Sequence, residues 1–475
     1  MTTSLNPVSP DLTAKLHATL PAACFREITP HYLEEPRGMF SGVTGLLLAP
    51  GSAAEVSEIL KSCTRHRVGV IPYGGGTGLV GGQVAEDVPA PVILSLERMN
   101  SIRNISLEDN TLTAEAGAIL ASIQESAEAA GRLFPLSLAS EGSCQIGGNL
   151  STNAGGVGVL RYGNARDLCL GLEAVLPDGT IWNGLSQLRK DNTGYDLKNL
   201  LIGAEGSLGI ITAASLKLFP RPDRFVTAIL QIKDPEAALK LLEACQSQLA
   251  GTVSAFELIH RQGLDFLREK IPELRLPFTN PTEWMALIDL GISGDFPIEE
   301  RLETLLGDAF TAGHVTDALI AQNATQRQDF WKLRETIPEA NRLVGAIYSH
   351  DISVPVSQIP TLIRKGKTLI NRIDPTLRIN CFGHVGDGNL HYNIYPPKGA
   401  DRAIYRPLRG SIKDAVYGLV YELGGSMSAE HGIGRMKLAD LQKYGAPAKL
   451  SAMRAIKSAL DPAGIMNPGA VVPRA

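Results

Sequence analysis

The chain has 475 residues, of which 44% are hydrophobic and 20% charged, with a formal net charge of −4. At roughly 150 residues per domain it is long enough for two or three domains with substantial cores, and too apolar to be disordered. Nearly balanced charge argues against a nucleic-acid binder driven by phosphate neutralisation, and an aromatic content of 5% argues against a base-stacking surface. The six cysteines, Cys24, Cys63, Cys144, Cys169, Cys245 and Cys381, form no CxxC pair, which fits a reducing, cytoplasmic setting. Met1 to Leu20 lacks a basic start followed by an apolar run, so no secretory signal is expected. No stretch approaches the ~18 apolar residues of a membrane span, so membrane association would be peripheral at most.

Residues 1–36 read as an N-terminal extension with helical pieces. From Gly45 the pattern turns α/β. Leu46 to Leu48 is a short strand, and Ser52 to His66 an amphipathic helix with Ser52 as N-cap and Glu55 as its capping-box partner. Val68 to Pro72, Val92 to Leu96 and Thr111 to Glu115 are strands. Ile119 to Ala130 is a helix that stops at Gly131. Ser143 to Gly163 is rich in Gly, Asn, Ser and Thr and reads as a loop. Cys169 to Val175 and Ile210 to Phe219 are strands, with a short helix at Asp196 to Ile202. Pro220 to Asp223 marks a domain boundary. Beyond it, helices at Pro235 to Leu249 and Pro297 to Ala312 alternate with strands at Phe225 to Ile232, Trp284 to Leu290 and Thr316 to Ile320. That pattern predicts an α+β domain with an antiparallel sheet. Asp401 to Ala475 is mainly helical and ends in a loop at Asp461 to Gly469.

Three glycine clusters carry the first chemistry. The run Pro72, Tyr73, Gly74, Gly75, Gly76, Thr77, Gly78, Leu79 leaves backbone N–H groups free of Cβ obstruction, as an anion-binding nest requires. It lacks the Lys of a Walker loop. It matches GxGxxG literally, yet Gly82, Pro89 and Pro91 follow where a dinucleotide fingerprint would open a helix. A second cluster runs from Ser143 through Gly147, Gly148, Asn149, Thr152, Asn153, Gly155 and Gly156. A third is Gly203 to Gly209, with Glu205 and Gly206 inside it. One such cluster is an ordinary turn; three in one domain point to a large ligand approached closely by backbone.

A second chemistry lies in Cys381 to Asn393. Asp387-Gly388 is a two-residue hairpin signal. With that turn His384 directly opposes His391, so both imidazoles could ligate one divalent cation. Asn389 and Asn393 share this face, while Leu390 and Tyr392 point away. Adjacent Glu430 and His431 can add a carboxylate and another imidazole. Two imidazoles and a carboxylate suit Zn²⁺ or Mn²⁺. A metal-dependent hydrolase built on His384, His391 and Glu430 is the rival reading, and it leaves the glycine clusters without a purpose. A flavin- or metal-binding protein without catalysis is the third.

Ile71 to Val84, Cys144 to Gly163 and Gly203 to Phe219 resemble the three FAD-contacting segments of vanillyl-alcohol-oxidase-type flavoproteins, the PCMH type. From about Arg37 to Val472 the chain is similar to their D-lactate, glycolate and D-2-hydroxyglutarate dehydrogenase branch. The resemblance implies an α+β fold of two domains. Residues 37–221 would form the FAD-binding domain. Residues 222–475 would form a substrate or cap domain whose C-terminal helices return to the flavin. It implies that the first glycine run holds the pyrophosphate. Ser137, Gly142, Ser143, Gly147, Gly148, Asn149, Thr152, Asn153, Gly155, Gly156, Glu205, Gly206, Gly209, Ile210 and Ile211 would line the rest of the FAD, with Asn467 near its ring. The first loop holds neither the His nor the Cys that attaches flavin in some relatives, so the FAD is expected to be non-covalent.

The same resemblance implies His384, His391 and Glu430 as metal ligands, His431 as catalytic base, and Arg334 and Asn393 as substrate contacts. The implied reaction takes a D-2-hydroxy acid, of the D-lactate or D-2-hydroxyglutarate type, to the 2-oxo acid. Electrons would pass to a quinone, a cytochrome or an electron-transfer flavoprotein, and a homodimer is among the expected assemblies. Two positions depart from the family. Ser349 stands where some relatives carry a lysine, and Pro338 where D-2-hydroxyglutarate dehydrogenases tend to have a threonine. Both departures favour a monocarboxylic acid.

Overall fold

The computed structural model describes residues 4–249 and 251–473. It separates into two compact units. The first comprises residues 1–155, 163–221 and 430–475, and the second 156–162 and 222–429. By internal packing the segment from Glu430 onward groups with the first unit. Met1 to Thr3, Arg474 and Ala475, ends of the sequence-based domain ranges, lie outside the described residues.

Besides the two-stranded pair of Arg132–Leu133 with Phe219–Pro220, the described residues of the first unit form two sheets. In the smaller, Leu46–Leu48, Val92–Ser95 and Val70–Tyr73 run parallel, and Phe25–Arg26 adds an antiparallel edge. Parallel strands need a crossover, and the helix Ala53–His66 supplies the one from Leu46–Leu48 to Val70–Tyr73, on the two sides of Val92–Ser95. Ser52 caps that helix through the Glu55 N–H at 3.2 Å. Glu55 closes the motif on Gly51 N–H rather than on the cap residue itself. The larger sheet is antiparallel, ordered Ile102–Ser106, Thr111–Glu115, Ile210–Lys217, Cys169–Val175, Ile181–Gly184. The N-terminal extension is not loose. Leu5, Tyr32 and Leu33 pack against Leu47, Ile71, Tyr73 and Ile93 of the parallel sheet.

One element was hidden in the sequence. Ile146–Thr152, expected as loop, is a seven-residue helix despite Gly147 and Gly148. Both glycines are poor helix formers, but Gly147 has no room for a side chain. A Cβ there would stand 2.7 Å from that of Ala116. Asn153 ends the helix in the left-handed conformation, at φ 52°.

The second unit is built on one seven-stranded antiparallel sheet. Its order is Val315–Ile320, Arg224–Ile232, Trp284–Ile292, Val253–His260, Arg378–His384, Asn389–Tyr395, Tyr348–Ser353. The helices Arg261–Lys270 and Ala324–Val344 bury Leu264, Phe266, Leu333 and Ile337 against Ile229, Ile259, Met285, Phe382 and Tyr395. The expected antiparallel α+β architecture is present, with the central strand Val253–His260 added. Pro338 sits inside the long helix, on its exposed side. Among the described residues no helix is long and apolar enough to cross a membrane.

Candidate active site

The first unit encloses a cavity of about 450 Å³. Pro72, Tyr73, Gly74, Gly75, Gly76, Thr77, Gly78 and Leu79 line it, as do Gly147, Gly148, Asn149, Thr152 and Gly155. So do Glu205, Gly206, Gly209, Ile210, Ile211 and Asn467, so the three glycine clusters face one space. Glu430 and His431 line the same space. Ser137, Gly142, Ser143, Asn153 and Gly156 lie outside this lining. Ser137 instead donates to Glu141, and Asn153 accepts the Arg166 N–H.

The cavity fits a long phosphorylated cofactor. Its volume lies within the ~300–1,000 Å³ of ligand pockets. No helix opens after Gly78, in keeping with rejection of the dinucleotide fingerprint. Among the described residues, the N–H groups of Gly74, Gly75, Gly76 and Gly78 have no protein acceptor, which leaves them available to an anion. A Cβ on Gly75 would collide with the Ser143 carbonyl oxygen, so the first and second clusters touch backbone to backbone. Gln145 lines the cavity with a buried Oε1 that no donor among the described residues reaches. Sequence reasoning missed Gln145, although it stands between two residues of the second cluster.

Glu205 organises the segment that carries Glu430 and His431. It is 8% exposed, and its carboxylate accepts the Ile433 N–H at 2.7 Å and the Gly434 N–H at 2.8 Å. Its own backbone takes the left-handed conformation, at φ 50°. Burial raises the Glu205 pKa above the usual range, and the two N–H donors only partly offset this. Asn467 completes the frame. Its Nδ2 donates to the carbonyls of Gly82 and Glu205 at 3.0 and 2.8 Å, and its Oδ1 accepts from Arg435 at 2.8 Å. Arg435 also reaches the Gly81 and Gly82 carbonyls, both at 2.9 Å. First loop, third loop and C-terminal segment are thus stitched together by one carboxylate, one amide and one guanidinium.

The histidine hairpin lies in the second unit, and its register differs from the expected one. His391 pairs with Phe382, not His384. The connection is a 3₁₀ turn at Val385–Asp387 followed by Gly388 at φ 84°, not a two-residue loop. Asp387 draws this turn by accepting the Asn389 N–H at 3.1 Å. A shift of two residues keeps the face unchanged, so the imidazoles become diagonal neighbours. Their ring centroids are 5.8 Å apart at 79°. Asn389 donates to Asp351 at 3.0 Å, and Asn393 Oδ1 accepts the His350 N–H at 3.2 Å. Asp351 pairs with His391 on the neighbouring strand, and Ser349 with Asn393.

Sequence reasoning also missed Glu257. It is fully buried and faces His384 across adjacent strands. Its oxygens meet His384 Nδ1 at 2.5 Å and Arg334 Nε at 2.7 Å. Burial alone would raise its pKa, but the Arg334 guanidinium and the His384 ring prevail and bring it down to about 2. Arg334, expected as a substrate contact, is 5% exposed with its Nε committed to Glu257. A substrate carboxylate would have to use the other edge of its fork. The missed signal was a single acid inside the apolar run Val253 to Ile259, because a charge in a buried strand needs partners.

Two family models cover these regions. Residues 45–184 match an FAD binding domain, and residues 221–471 match the C-terminal domain of FAD linked oxidases. This chain belongs to the FAD-linked oxidases. Within this flavoprotein family it is similar to the mitochondrial D-2-hydroxyglutarate dehydrogenase of Arabidopsis thaliana. Identity is 39%, over 91% of this chain and 76% of that one. It is also similar to D-2-hydroxyglutarate dehydrogenase of Stutzerimonas stutzeri, with 34% identity over 91% of this chain and 92% of the relative. The flavoprotein's fold matches p-cresol methylhydroxylase with a TM-score of 0.75 and 17% identity, covering 98% of each chain. The vanillyl-alcohol-oxidase-type fold and the 2-hydroxy-acid dehydrogenase branch are thereby established, and the enzyme is an FAD-linked oxidoreductase.

Proposed function

We propose that this flavoenzyme oxidises a D-2-hydroxy acid, of the D-lactate or D-2-hydroxyglutarate type, to the 2-oxo acid. The observation that carries the reading is that Glu430 and His431 line the same cavity as the three glycine clusters. FAD, held non-covalently, supplies the acceptor for the α-hydrogen and its electron pair. His431 takes the proton of the substrate hydroxyl, a task suited to an imidazole whose ordinary pKa is near ~6.5. Glu205 holds the His431 segment through two backbone N–H groups, so the base is presented by a fixed loop.

We further infer a divalent cation, zinc or manganese, held by His384, His391 and Glu430. Support comes from the neighbouring His384 and His391 rings and from the Glu257 carboxylate behind His384. A cation there lowers the pKa of a bound hydroxyl. Arg334 and Asn393 would orient the substrate carboxylate. The relatives named above act on D-2-hydroxyglutarate by their names. Ser349 is uncharged, so a second, distal carboxylate would find no cation at that position. Electrons leave to a quinone, a cytochrome or an electron-transfer flavoprotein, and the enzyme works in a reducing, cytoplasmic setting.

The test is an anaerobic screen of paired D- and L-2-hydroxy acids, including lactate and 2-hydroxyglutarate, reading flavin absorbance. D-enantiomers should bleach the flavin and L-enantiomers should not. A yellow protein that no 2-hydroxy acid bleaches would overturn the proposal.

A further inference from the structure

Glu257 stands midway along the strand Val253–His260, with no solvent exposure. Its two oxygens are divided between two partners. Oε2 accepts from Arg334 Nε, whose guanidinium stacks 4.8 Å from the Phe382 ring centroid, and Oε1 meets His384 Nδ1. We propose that Glu257 is a positioning residue that fixes His384 as its Nδ1–H tautomer, presenting Nε2 as a donor to a divalent cation, and that binds this imidazole and Arg334 into one unit. The inference rests on the cation reading proposed above.

The chemistry follows from the donor inventory. A guanidinium keeps its protons, so the carboxylate beside it is ionised and can only accept. Both of its partners must therefore donate. For His384 this places a proton on Nδ1, and in the neutral ring Nε2 then keeps its lone pair. That is the form in which a neutral imidazole binds a metal, and a carboxylate behind the ring is the usual way of fixing it. Without the carboxylate the ring could carry its proton on Nε2, where it cannot ligate. Two observations make the arrangement rigid. Glu257 and His384 are direct partners across adjacent strands, and Arg334 comes from a helix packed into the same core. Glu257 thus ties a proposed metal ligand to a proposed substrate contact, so a change at 257 should be felt at both. If Glu257 merely neutralised a buried arginine, it would affect folding and leave the tautomer of His384 and the metal affinity untouched.

The experiment compares full-length native protein with the variants E257Q and H391Q. Zinc-loaded protein is dialysed against graded chelator, and retained zinc per chain is measured. Selectively ¹⁵N-labelled histidine in the metal-free native protein reports the His384 tautomer, and this arm needs no variant to fold. The expected results are a His384 proton on Nδ1 and release of zinc from E257Q at roughly 10- to 100-fold lower chelator strength. KM for the hydroxy acid should rise in the same variant, because the amide cannot accept from both Arg334 and His384. Equal zinc retention by E257Q and native protein, or an Nε2–H tautomer in native protein, would overturn the inference. Native protein that holds no zinc, or zinc retention indifferent to H391Q, overturns the cation reading itself. That failure is recognised separately because the tautomer is read without metal.

Discussion

Two buried glutamates hold the chemistry-bearing segments, and they do so in opposite ways. Glu205, in the first unit, grips the loop bearing His431 through neutral backbone donors at Ile433 and Gly434. Glu257, in the second, grips His384 against a fixed cation, Arg334. At Glu205 burial outweighs the two N–H donors and the positive charges of Lys437 and Arg435, so its pKa stays above the ordinary range. A guanidinium more than offsets burial at Glu257, so the Glu257 pKa falls to about 2. The first clamp therefore takes up its proton at a higher pH than an ordinary carboxyl, whereas the second stays ionised until pH nears about 2. The base proposed above, His431, sits on the first, and the proposed metal ligand His384 sits on the second.

The largest effect tests what the Glu205 clamp exists to present. His431→Ala should leave FAD bound and lower the rate of substrate-dependent flavin reduction by roughly 10²- to 10⁴-fold, the usual contribution of a general base. Anaerobic stopped-flow absorbance, with flavin content measured on the same sample, decides it. Reduction at the native rate would remove His431 from the role of base.

Next comes the charged clamp. Glu257→Ala leaves Arg334 buried without its carboxylate, and breaking one side of a buried pair costs about 3–5 kcal/mol. Chemical denaturation should show that loss, and a loss below about 1 kcal/mol would mean water replaces the carboxylate. The pH dependence runs the same way. The Glu257 pKa is depressed on folding, so its stabilisation is complete above the ordinary carboxyl range, near 4.5. It is lost as pH falls from there through about 2. The native protein should therefore lose more stability than Glu257→Gln across that window, measured as free energy of unfolding against pH.

The two clamps also differ in how far the sequence reveals them. Glycine clusters announce themselves, because only a backbone that must approach a ligand or another backbone concentrates glycine so heavily. Thr77, Gly148 and Gly206 needed no tertiary information. The helix Ile146–Thr152 was illegible for the same reason: Gly147 is there to clear Ala116, a contact that exists only in the folded chain. The hairpin face was readable from alternation, which survives a shift of two residues, but the register was not, since Asp387 chose a longer turn. Glu257 is 77 residues from Arg334 and 127 from His384 along the chain, so no local pattern joins them. Glu205 stood in plain view as part of a glycine cluster, and its grip on Ile433 and Gly434 spans still longer separations.

The smallest effect sharpens the contrast most. Glu205→Gln retains one acceptor oxygen and turns the other into a donor, so one of the two N–H groups loses its partner. Flavin content should hold while kcat falls about 10-fold, equivalent to about 1.4 kcal/mol, with little change in KM. The acid response should then separate activity from stability. The Glu205 pKa is raised on folding, so its ionised form opposes stability above that pKa, and the folded state regains stability as pH falls through it toward the ordinary carboxyl range. Yet protonation converts an acceptor into a hydroxyl and loosens the His431 loop. Native enzyme should therefore lose turnover in mild acid while its thermal midpoint holds or rises, and Glu205→Gln, already loosened, should lack that component of the acid limb. Parallel profiles for the two proteins, with turnover and midpoint falling together, would mean that Glu205 acts as packing alone and that the His431 segment is held by Arg435 and Asn467.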